Sequence, residues 1–253
     1  MRLVTLIGGA GYIGQRLARY LTDLGWDVHI SDPCVVDPAA PERLGKSVTW
    51  CSLLNDGPIV YLASLHDFPG WDTLSTAQRF EWQQVGRKLM IDEPVRLARS
   101  GRPLVYISSM RALTHPNTFY GNLKKQAERL LFQLPNVSIL RFGTVMSGLS
   151  SELYNRTITV PNNWIMRGEL PDENWKAYVT HMDKTLHAIW SALPPSSTPG
   201  GSVRNVTESM YPWDAERLSH YRPSTHGLDA EREPHPAIAT AKHYNLPLPK
   251  GLA

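Results

Sequence analysis

Short apolar runs alternate with longer amphipathic stretches over the first 145 residues of the chain. The apolar runs predict six strands, at residues 2–8, 27–31, 47–50, 58–64, 103–109 and 137–143. Between the first two of these runs, residues 14–25 place apolar side chains on one face of a helix. Because strands that alternate with helices form parallel sheets covered on both faces, this half of the chain predicts an α/β fold.

Two longer helices are predicted in the same half of the chain. One covers residues 75–99, and the other runs from near Tyr120 to a point before Pro135. Pro94 lies inside the first helix, where its missing N–H and its ring predict an interruption or a kink.

The alternation fades after residue 145, where Pro, Asn and Gly become frequent, as they are in loops. A helix at 181–193 and a strand at 201–207 are the clear elements of this part. We therefore divide the chain into a first domain at 1–145 and a small, loop-rich C-terminal lobe at 146–253. Within that lobe, residues 177–207 are expected to return to the sheet of the first domain. The tail from Tyr221 receives no structural assignment.

Composition narrows the class of protein. Of 253 residues, 42% are hydrophobic and 19% are charged, which is typical of a globular chain with a packed core. A net charge of +3, without a long basic run, gives no reason to expect nucleic acid as a partner. Cys34 and Cys51 are too few for a disulfide framework or a zinc site, so we expect no metal and a reducing, cytoplasmic location. No apolar stretch has the length of a signal peptide core or a membrane span, which predicts a soluble protein.

The stretch LIGGAGYIGQRLA, at residues 6–18, carries a candidate phosphate loop. Gly9, Gly11 and Gly14 match the pattern G-x-G-x-x-G, and Gly8 adds the variant G-x-x-G-x-x-G. The pattern follows a predicted strand and opens a predicted helix, where glycines let the backbone approach a pyrophosphate at the helix N-terminus. We favour this reading over an accidental turn, and it predicts a Rossmann-type, doubly wound parallel sheet.

A carboxylate follows at the distance that a dinucleotide site requires. Asp32 directly follows the second predicted strand, 18 residues after Gly14. An acid at this position accepts hydrogen bonds from the adenosine ribose and repels a 2′-phosphate, so Asp32 favours NAD over NADP.

The stretch FYGNLKK, at residues 119–125, places Tyr120 and Lys124 four positions apart. Such a pair shares one face of a helix, and the spacing alone is typical of an ordinary amphipathic helix. The motifs around it change this interpretation.

Taken in order, the motifs resemble those of the extended short-chain dehydrogenase/reductases, in the NAD-dependent epimerase/dehydratase group. The resemblance rests on Asp32 and on GGAGYIG (8–14), VYLAS (60–64), VYISS (105–109), YGNLKKQAERLL (120–131) and LRFGTV (140–145). Two weaker landmarks are AYVTHMDKTLHAI (177–189) and RNVTE (204–208).

The resemblance implies a catalytic group made of Ser109, Tyr120 and Lys124. Ser109 polarises the substrate, and Tyr120 is the general acid/base. Lys124 lowers the pKa of Tyr120 and holds the nicotinamide ribose, while hydride passes to NAD. A free tyrosine with a pKa near 10 is a poor base at neutral pH, and a nearby ammonium favours the phenolate. The alternative is that Ser109 has only a structural role, in which its hydroxyl caps the end of a strand.

The same resemblance implies the residues that bind the cofactor NAD. They are Gly8, Gly11, Tyr12, Ile13, Gly14, Asp32, Leu62, Ala63 and Ser64, together with Tyr120 and Lys124.

Several positions depart from the family pattern and bear on the reaction. Met110 and Arg111 stand where the sugar 4,6-dehydratases carry an Asp-Glu pair, and a thioether is no general acid, so that dehydration is disfavoured. Thr144 replaces the usual Asn, Ser52 replaces a frequent Asp, and the connection from Ser109 to Tyr120 is short. The expected activity is therefore oxidation or epimerisation at a secondary hydroxyl of a sugar, nucleotide sugar or related polar metabolite.

Four residues are expected to contact the substrate. His66, Arg111, Thr144 and Arg167 are the candidate substrate-binding residues, and the cations among them suit an anionic substrate. The alternative function is a regulatory or scaffold protein that binds NAD without turnover. The resemblance also implies a homodimer through the helices at 75–99 and 120–133.

Overall fold

A computed structural model describes residues 2–32, 48–50, 56–65, 71–146, 178–194, 201–209, 241 and 244–248 of the protein. The strands are β1 (Arg2–Ile7), β2 (Trp26–Ser31), β3 (Val48–Trp50), β4 (Ile59–Tyr61), β5 (Leu104–Ser109), β6 (Val137–Phe142), β7 (Thr144–Met146), β8 (Tyr178–His181), β9 (Ser202–Val206) and β10 (Glu208–Ser209). Seven of them form one sheet in the order β3-β2-β1-β4-β5-β6-β9, and every neighbouring pair in it is parallel. The order reverses between β1 and β4, as in the doubly wound Rossmann fold.

Helices cover both faces of this sheet. They are α1 (Tyr12–Asp23), α2 (Thr76–Arg87), α3 (Glu93–Ala98), α4 (Arg111–Thr114), α5 (Phe119–Leu131) and α6 (Met182–Ser191). One apolar core lies between the sheet and the helices α2, α3 and α5, and a second lies between the sheet and the helices α1 and α6. The predicted Rossmann-type, doubly wound α/β fold is confirmed.

The strand β9 adds to the sheet beside β6, from a part of the chain far beyond the first six strands. Ser138 pairs with Ser202 and Phe142 pairs with Val206 in this register. A second, three-stranded sheet has the order β10-β8-β7. The domain boundary at 145 and the loop-rich lobe stay predictions, since 147–177 and 210–240 lie outside the described residues.

Two predicted element boundaries are wrong. The first helix begins at Tyr12 instead of Gly14, because Gly11 is extended (φ −73°, ψ 175°) and serves as its N-cap. The strand predicted at 58–64 is regular only over Ile59–Tyr61, and the next two N–H groups both donate to the Ile7 carbonyl at the end of β1.

The helix predicted at 75–99 is interrupted, as Pro94 indicated. Residues Lys88–Asp92 form a π-helical turn between α2 and α3. In this turn the Glu93 N–H donates to the Lys88 carbonyl, five residues back, so the Leu89 carbonyl loses the donor that an α-helix would supply. The hydroxyl of Tyr61, on β4, donates to the Leu89 carbonyl instead.

Pro94 removes a second donor from the same turn. It has no N–H to offer the carbonyl of Met90, four residues before it. The hydroxyl of Tyr106, on β5, donates to the Met90 carbonyl at 3.1 Å. Tyr61 and Tyr106 lie ring against ring, with centroids 6.1 Å apart. Through these two hydrogen bonds, the interruption connects the α2–α3 segment to two adjacent strands of the sheet.

None of the helices within the described ranges has the length and apolar character needed to cross a membrane.

Candidate active site

The glycine loop joins β1 to α1 and lies against the end of β4. Gly8 has φ +79°, and a Cβ there would lie 2.5 Å from the Ala63 backbone nitrogen. Gly14 is equally restricted, since its Cβ would lie 2.4 Å from the carbonyl oxygen of Gly9. Only glycine allows these two approaches, so the loop runs close under α1 and beside β4.

The N-terminus of α1 has the features of an anion-binding site. Its N-cap, Gly11, makes no side-chain cap, and the first turn carries no acidic residue. The orphan N–H groups of a helix start and the helix dipole both favour a negative group, so this end suits a pyrophosphate. Tyr12 and Ile13, in the first turn, are both half-buried.

An arginine that sequence reasoning did not single out lies at this end of the helix. The Arg16 guanidinium stands 4.1 Å from the centroid of the Tyr12 ring and donates to the Tyr12 carbonyl at 3.0 Å. The spacing of four residues on a helix was the available signal. Arg16 adds a positive charge beside the glycine loop.

Asp32 lies at the glycine loop, at the end of β2. Its Oδ2 accepts a hydrogen bond from the Ala10 N–H at 3.2 Å. The carboxylate is half-buried, so it is placed between the loop and the solvent. This is the position from which an acid reads the adenosine ribose in the Rossmann fold.

The segment after β4 lies at the same end of the sheet, at the carboxyl ends of the strands. The N–H groups of Leu62 and Ala63 both donate to the Ile7 carbonyl, at 2.8 and 3.0 Å. Leu62 and Ser64 are half-buried, and Ala63 is buried. The residues predicted from GGAGYIG and VYLAS are therefore neighbours at the carboxyl ends of β1 and β4.

Helix α5 presents Tyr120 and Lys124 to the sheet. Thr118 caps the helix by accepting the Gly121 N–H at 3.1 Å. Tyr120 is 6% exposed and Lys124 is 1% exposed, so both side chains lie on the buried face of the helix. The pair therefore does not belong to the solvent-facing side of this amphipathic helix.

The Lys124 amine lies against β5. Its Nζ donates to the Ile107 carbonyl at 2.7 Å and stands 4.6 Å from the Tyr106 ring centroid and 5.7 Å from that of Tyr120. Burial lowers the pKa of Lys124 to about 7, and the negative charge of Glu128 partly opposes that shift. The structure thus brings the Tyr120 ring and the Lys124 amine together at one place beside the sheet.

Ser109 is the last residue of β5, two positions after Ile107. It is half-buried, and its Oγ accepts a hydrogen bond from the Arg111 N–H at 3.2 Å. This bond is the strand-end role that the sequence left open for Ser109. A hydroxyl has further bonding capacity, so the bond is compatible with a second role toward a substrate.

The candidate substrate contacts are only partly within the described residues. Arg111 is exposed on the short helix α4, directly after the end of β5. His66 and Arg167 lie outside the described residues. Thr144 is placed by its backbone alone, as the first residue of β7.

Sequence reasoning missed a cluster of three polar residues around Glu128, which lies one turn after Lys124. Glu128 is buried on α5, where its carboxylate binds the Ser108 hydroxyl and forms an ion pair with Arg141. The signal for Glu128 was its position four residues after Lys124. Nothing in the sequence indicated that Arg141 and Ser108 would meet it.

Within the ranges that the structure describes, no group of three or more His, Cys, Asp or Glu could hold a metal ion.

Several solved structures have a fold similar to that of this chain. MoeE5, in complex with UDP-glucose and NAD, is 22% identical with a TM-score of 0.59, over 81% of this chain and 75% of that chain. TunA, an NAD-dependent NDP-hexosamine 5,6-dehydratase, is 19% identical with a TM-score of 0.61, over 86% and 80%. The UDP-glucuronic acid 4-epimerase from Bacillus cereus, bound to UDP-glucuronic acid and NAD, is 17% identical with a TM-score of 0.60, over 82% and 78%.

The fold is therefore the Rossmann-type fold of these epimerases and dehydratases. No family model matches the chain, and no curated protein matches it by sequence.

Proposed function

We propose that the protein is an NAD-dependent oxidoreductase or epimerase of the extended short-chain dehydrogenase/reductase type. Its substrate is proposed to be a sugar, nucleotide sugar or related polar metabolite with a secondary hydroxyl. The observation that carries this proposal is the burial of Lys124 beside Tyr120, with its amine bonded to β5 just before Ser109. Burying an ammonium costs free energy, and a general-base role for its neighbour explains why the chain keeps one there.

The residues present suit NAD as the cofactor. The uncapped start of α1 and the crowded glycines suit the pyrophosphate, and Asp32 suits the adenosine ribose. The other proposed contacts are Gly8, Gly11, Tyr12, Ile13, Gly14, Leu62, Ala63, Ser64, Tyr120 and Lys124. NAD, when bound, supplies the acceptor for the two electrons that leave the carbinol carbon.

Each member of the catalytic group has a proposed task. Ser109 donates a hydrogen bond to the substrate oxygen and holds it in place. Tyr120 takes the proton from the substrate hydroxyl as the carbinol becomes a ketone, and it returns that proton when the ketone is reduced. The ammonium form of Lys124 stabilises the Tyr120 phenolate, which lowers the pKa of the tyrosine.

The residue after Ser109 bears on the reaction type. Met110 is buried and Arg111 is exposed, and neither supplies a carboxylic acid beside the catalytic group. Elimination of water needs a group that donates a proton to the leaving hydroxyl. This supports epimerisation or simple oxidation over 4,6-dehydration. The Arg111 guanidinium is proposed to bind an anionic part of the substrate, together with His66, Thr144 and Arg167.

One observation favours the alternative of an NAD-binding protein without turnover. Lys124 is fully enclosed and already bonded to the Ile107 carbonyl, which leaves its amine less free to hold a ribose.

The experiment compares wild type with Tyr120→Phe, using fluorescence of NADH and a panel of UDP- and dTDP-sugars. Under the proposal, wild type reduces bound NAD with at least one substrate. Tyr120→Phe should still bind NAD, through the remaining contacts, and lose at least about a hundredfold in turnover. The matched control is Tyr20→Phe, a half-buried tyrosine on α1, which should retain full activity. Normal NAD binding with no turnover on any substrate would favour the scaffold alternative.

A homodimer through α2 and α5 is also proposed. Phe80, on α2, is 59% exposed, and Leu130, on α5, is 43% exposed, which suits an apolar contact. Leu89, Leu97 and Leu131, apolar residues of the same two predicted helices, are buried in the core and are not available for this contact. Light scattering should give twice the monomer mass, and Phe80→Glu should give the monomer. The cytoplasmic location stays a prediction from the cysteine content.

A further inference from the structure

Glu128 is a buried carboxylate with three hydrogen-bond contacts. It is 6% exposed and lies on α5 one turn after Lys124 and two turns after Tyr120. The Ser108 hydroxyl donates to its Oε1 at 2.5 Å. Arg141, on β6, donates from Nε to Oε1 at 2.9 Å and from Nη2 to Oε2 at 2.6 Å.

Two hydrogen bonds connect α5 with the last residues of β5. Lys124 bonds the carbonyl of Ile107, and Glu128 bonds the hydroxyl of Ser108, the next residue along the strand. Ser109 follows directly. Because the two contacts are one helical turn apart on α5, they fix both the position and the rotation of the helix relative to the strand.

Arg141 anchors the carboxylate to the rest of the sheet. Its two donors hold Glu128 from β6, the strand next to β5, and its Nη1 stands 3.4 Å from the Asn205 Oδ1 on β9. A buried ion pair is seldom a gain in stability over apolar side chains of similar size. The presence of this ion pair beside Lys124 is better explained by the position that it gives to α5 and by its effect on the charge of Lys124 than by a gain in the free energy of folding.

The charged and titratable groups around Lys124 come from three elements. Tyr106 faces it from β5, Tyr120 and Glu128 face it from α5, and Arg141 reaches it only through Glu128, from β6. Glu128 is the one carboxylate among these groups.

We propose that Glu128 is the positioning residue of the catalytic group, holding α5 against the end of β5 so that Lys124 and Tyr120 face Ser109. This inference rests on the proposed function, which makes Lys124 the catalytic lysine. Glu128 acts in two ways. Its bond to Ser108 sets the distance between helix and strand, and its negative charge favours the ammonium form of Lys124.

The test follows the titration of Lys124 in the protein without added NAD or substrate, by ¹³Cε NMR, with Lys124→Met used to assign the signal. Wild type is expected to titrate near pH 7. Glu128→Gln keeps the shape and removes the charge, so the midpoint should fall by about one pH unit. Thr180→Val is the control, because it changes a buried polar side chain whose hydroxyl donates to the Val206 carbonyl and accepts from the Gly143 N–H, both outside α5. It should leave the Lys124 midpoint unchanged.

A second variant covers the case in which Glu128→Gln does not fold. Glu128→Met/Arg141→Met replaces the whole ion pair with apolar side chains, a change that proteins commonly tolerate. It also removes the carboxylate and should lower the Lys124 midpoint. A midpoint that matches wild type in the variant that folds overturns the proposal, even if the protein has lost stability.

Turnover provides the second readout. With a substrate found by the NADH assay, Glu128→Gln should lower kcat at least about tenfold and leave the Kd for NAD within about twofold. If Glu128→Gln lowers the Lys124 midpoint but the wild type turns over no sugar, the proposed function is overturned and the positioning role of Glu128 stands. If the wild type turns over a sugar but Glu128→Gln leaves the Lys124 midpoint unchanged, the positioning role is overturned and the proposed function stands.

Discussion

Lys124 donates a 2.7 Å hydrogen bond from its amine to the backbone carbonyl of Ile107, at a place where almost no solvent reaches either group. The bond joins the helix that carries Tyr120 to the strand that ends in Ser109. It also places an ionisable amine between two tyrosine rings, in surroundings that disfavour its charge. The hydrogen bond therefore sets the position of this lysine, and its burial lowers the pKa that controls its protonation.

The burial of Lys124 predicts a particular pH dependence of stability. Its pKa is about 7 in the folded protein and about 10.5 when the chain is unfolded. Below pH 7 the amine is protonated in both states, and the folded state bears the full cost of the buried ammonium. As pH rises from 7 towards 10.5, only the unfolded state stays protonated, so the cost shrinks.

Lys124→Met removes this cost. At pH 6 the variant should be more stable than wild type by several kcal/mol, on the order of 5 kcal/mol at most, and the difference should shrink between pH 7 and pH 10.5. Urea unfolding at a series of pH values measures it. Lys125→Met is the control, because Lys125 is more exposed and should follow the wild-type profile. A difference that stays constant with pH would mean that Lys124 keeps its charge in the folded protein.

The π-helical turn before Pro94 predicts an energetic coupling between distant residues. Tyr106→Phe and Tyr61→Phe each leave one buried carbonyl of the turn without a donor, which should cost about 1–3 kcal/mol. Pro94→Ala restores an N–H four residues after Met90. In that background Tyr106→Phe should cost at least about 1 kcal/mol less, because the Met90 carbonyl gains a second donor.

Tyr61→Phe in the same two backgrounds shows which carbonyl the new N–H reaches, since the partner of Tyr61 is Leu89, five residues before position 94. Its cost should be unchanged if the new N–H bonds Met90 as in an α-helix, and a lower cost would show that the π register carries the N–H to Leu89. The unfolding free energies of the four Tyr106 and Pro94 combinations measure the coupling. If the costs of Tyr106→Phe agree in both backgrounds, Pro94 is not what leaves the Met90 carbonyl available.

The sheet was predictable because its central strands are buried on both faces and so appear as continuous apolar runs. The pair Tyr120–Lys124 was predictable because neighbouring motifs changed the meaning of a common spacing. The ion pair of Glu128 with Arg141 was not, since it joins a helix to a strand through packing that no local pattern encodes. Pro94 indicated an interruption, but the π turn depends on the two tyrosine hydroxyls that donate hydrogen bonds to its released carbonyls.

Gly121 predicts a loss of stability from a change that usually stabilises helices. Alanine has the higher helix propensity, by about 1 kcal/mol. A Cβ at Gly121, however, would lie 2.1 Å from the His115 carbonyl oxygen, in backbone that cannot move without shifting the start of α5. Gly121→Ala should therefore destabilise the protein by about 1–3 kcal/mol and lower turnover, since the shift displaces Tyr120.

Asn122→Ala is the control for Gly121→Ala. Asn122 is exposed on the next position of the same helix, so its replacement should change the unfolding free energy by less than about 0.5 kcal/mol. Thermal unfolding of both variants makes the comparison. Equal stability of Gly121→Ala and wild type would show that α4 and α5 can separate at little cost.

Asp32 predicts how the protein selects between two cofactors. Its carboxylate accepts the Ala10 N–H at the glycine loop, and an amide oxygen can accept the same bond. Asp32→Asn therefore keeps the loop and removes the charge that repels a 2′-phosphate. NAD should bind more weakly and NADP more tightly, so that the ratio of the two Kd values changes at least about tenfold, or about 1.4 kcal/mol. Titration calorimetry with both cofactors measures the ratio. Asp27→Asn, on the same strand, is the control and should leave both affinities unchanged. A selectivity for NAD that survives in Asp32→Asn would mean that another group reads the ribose.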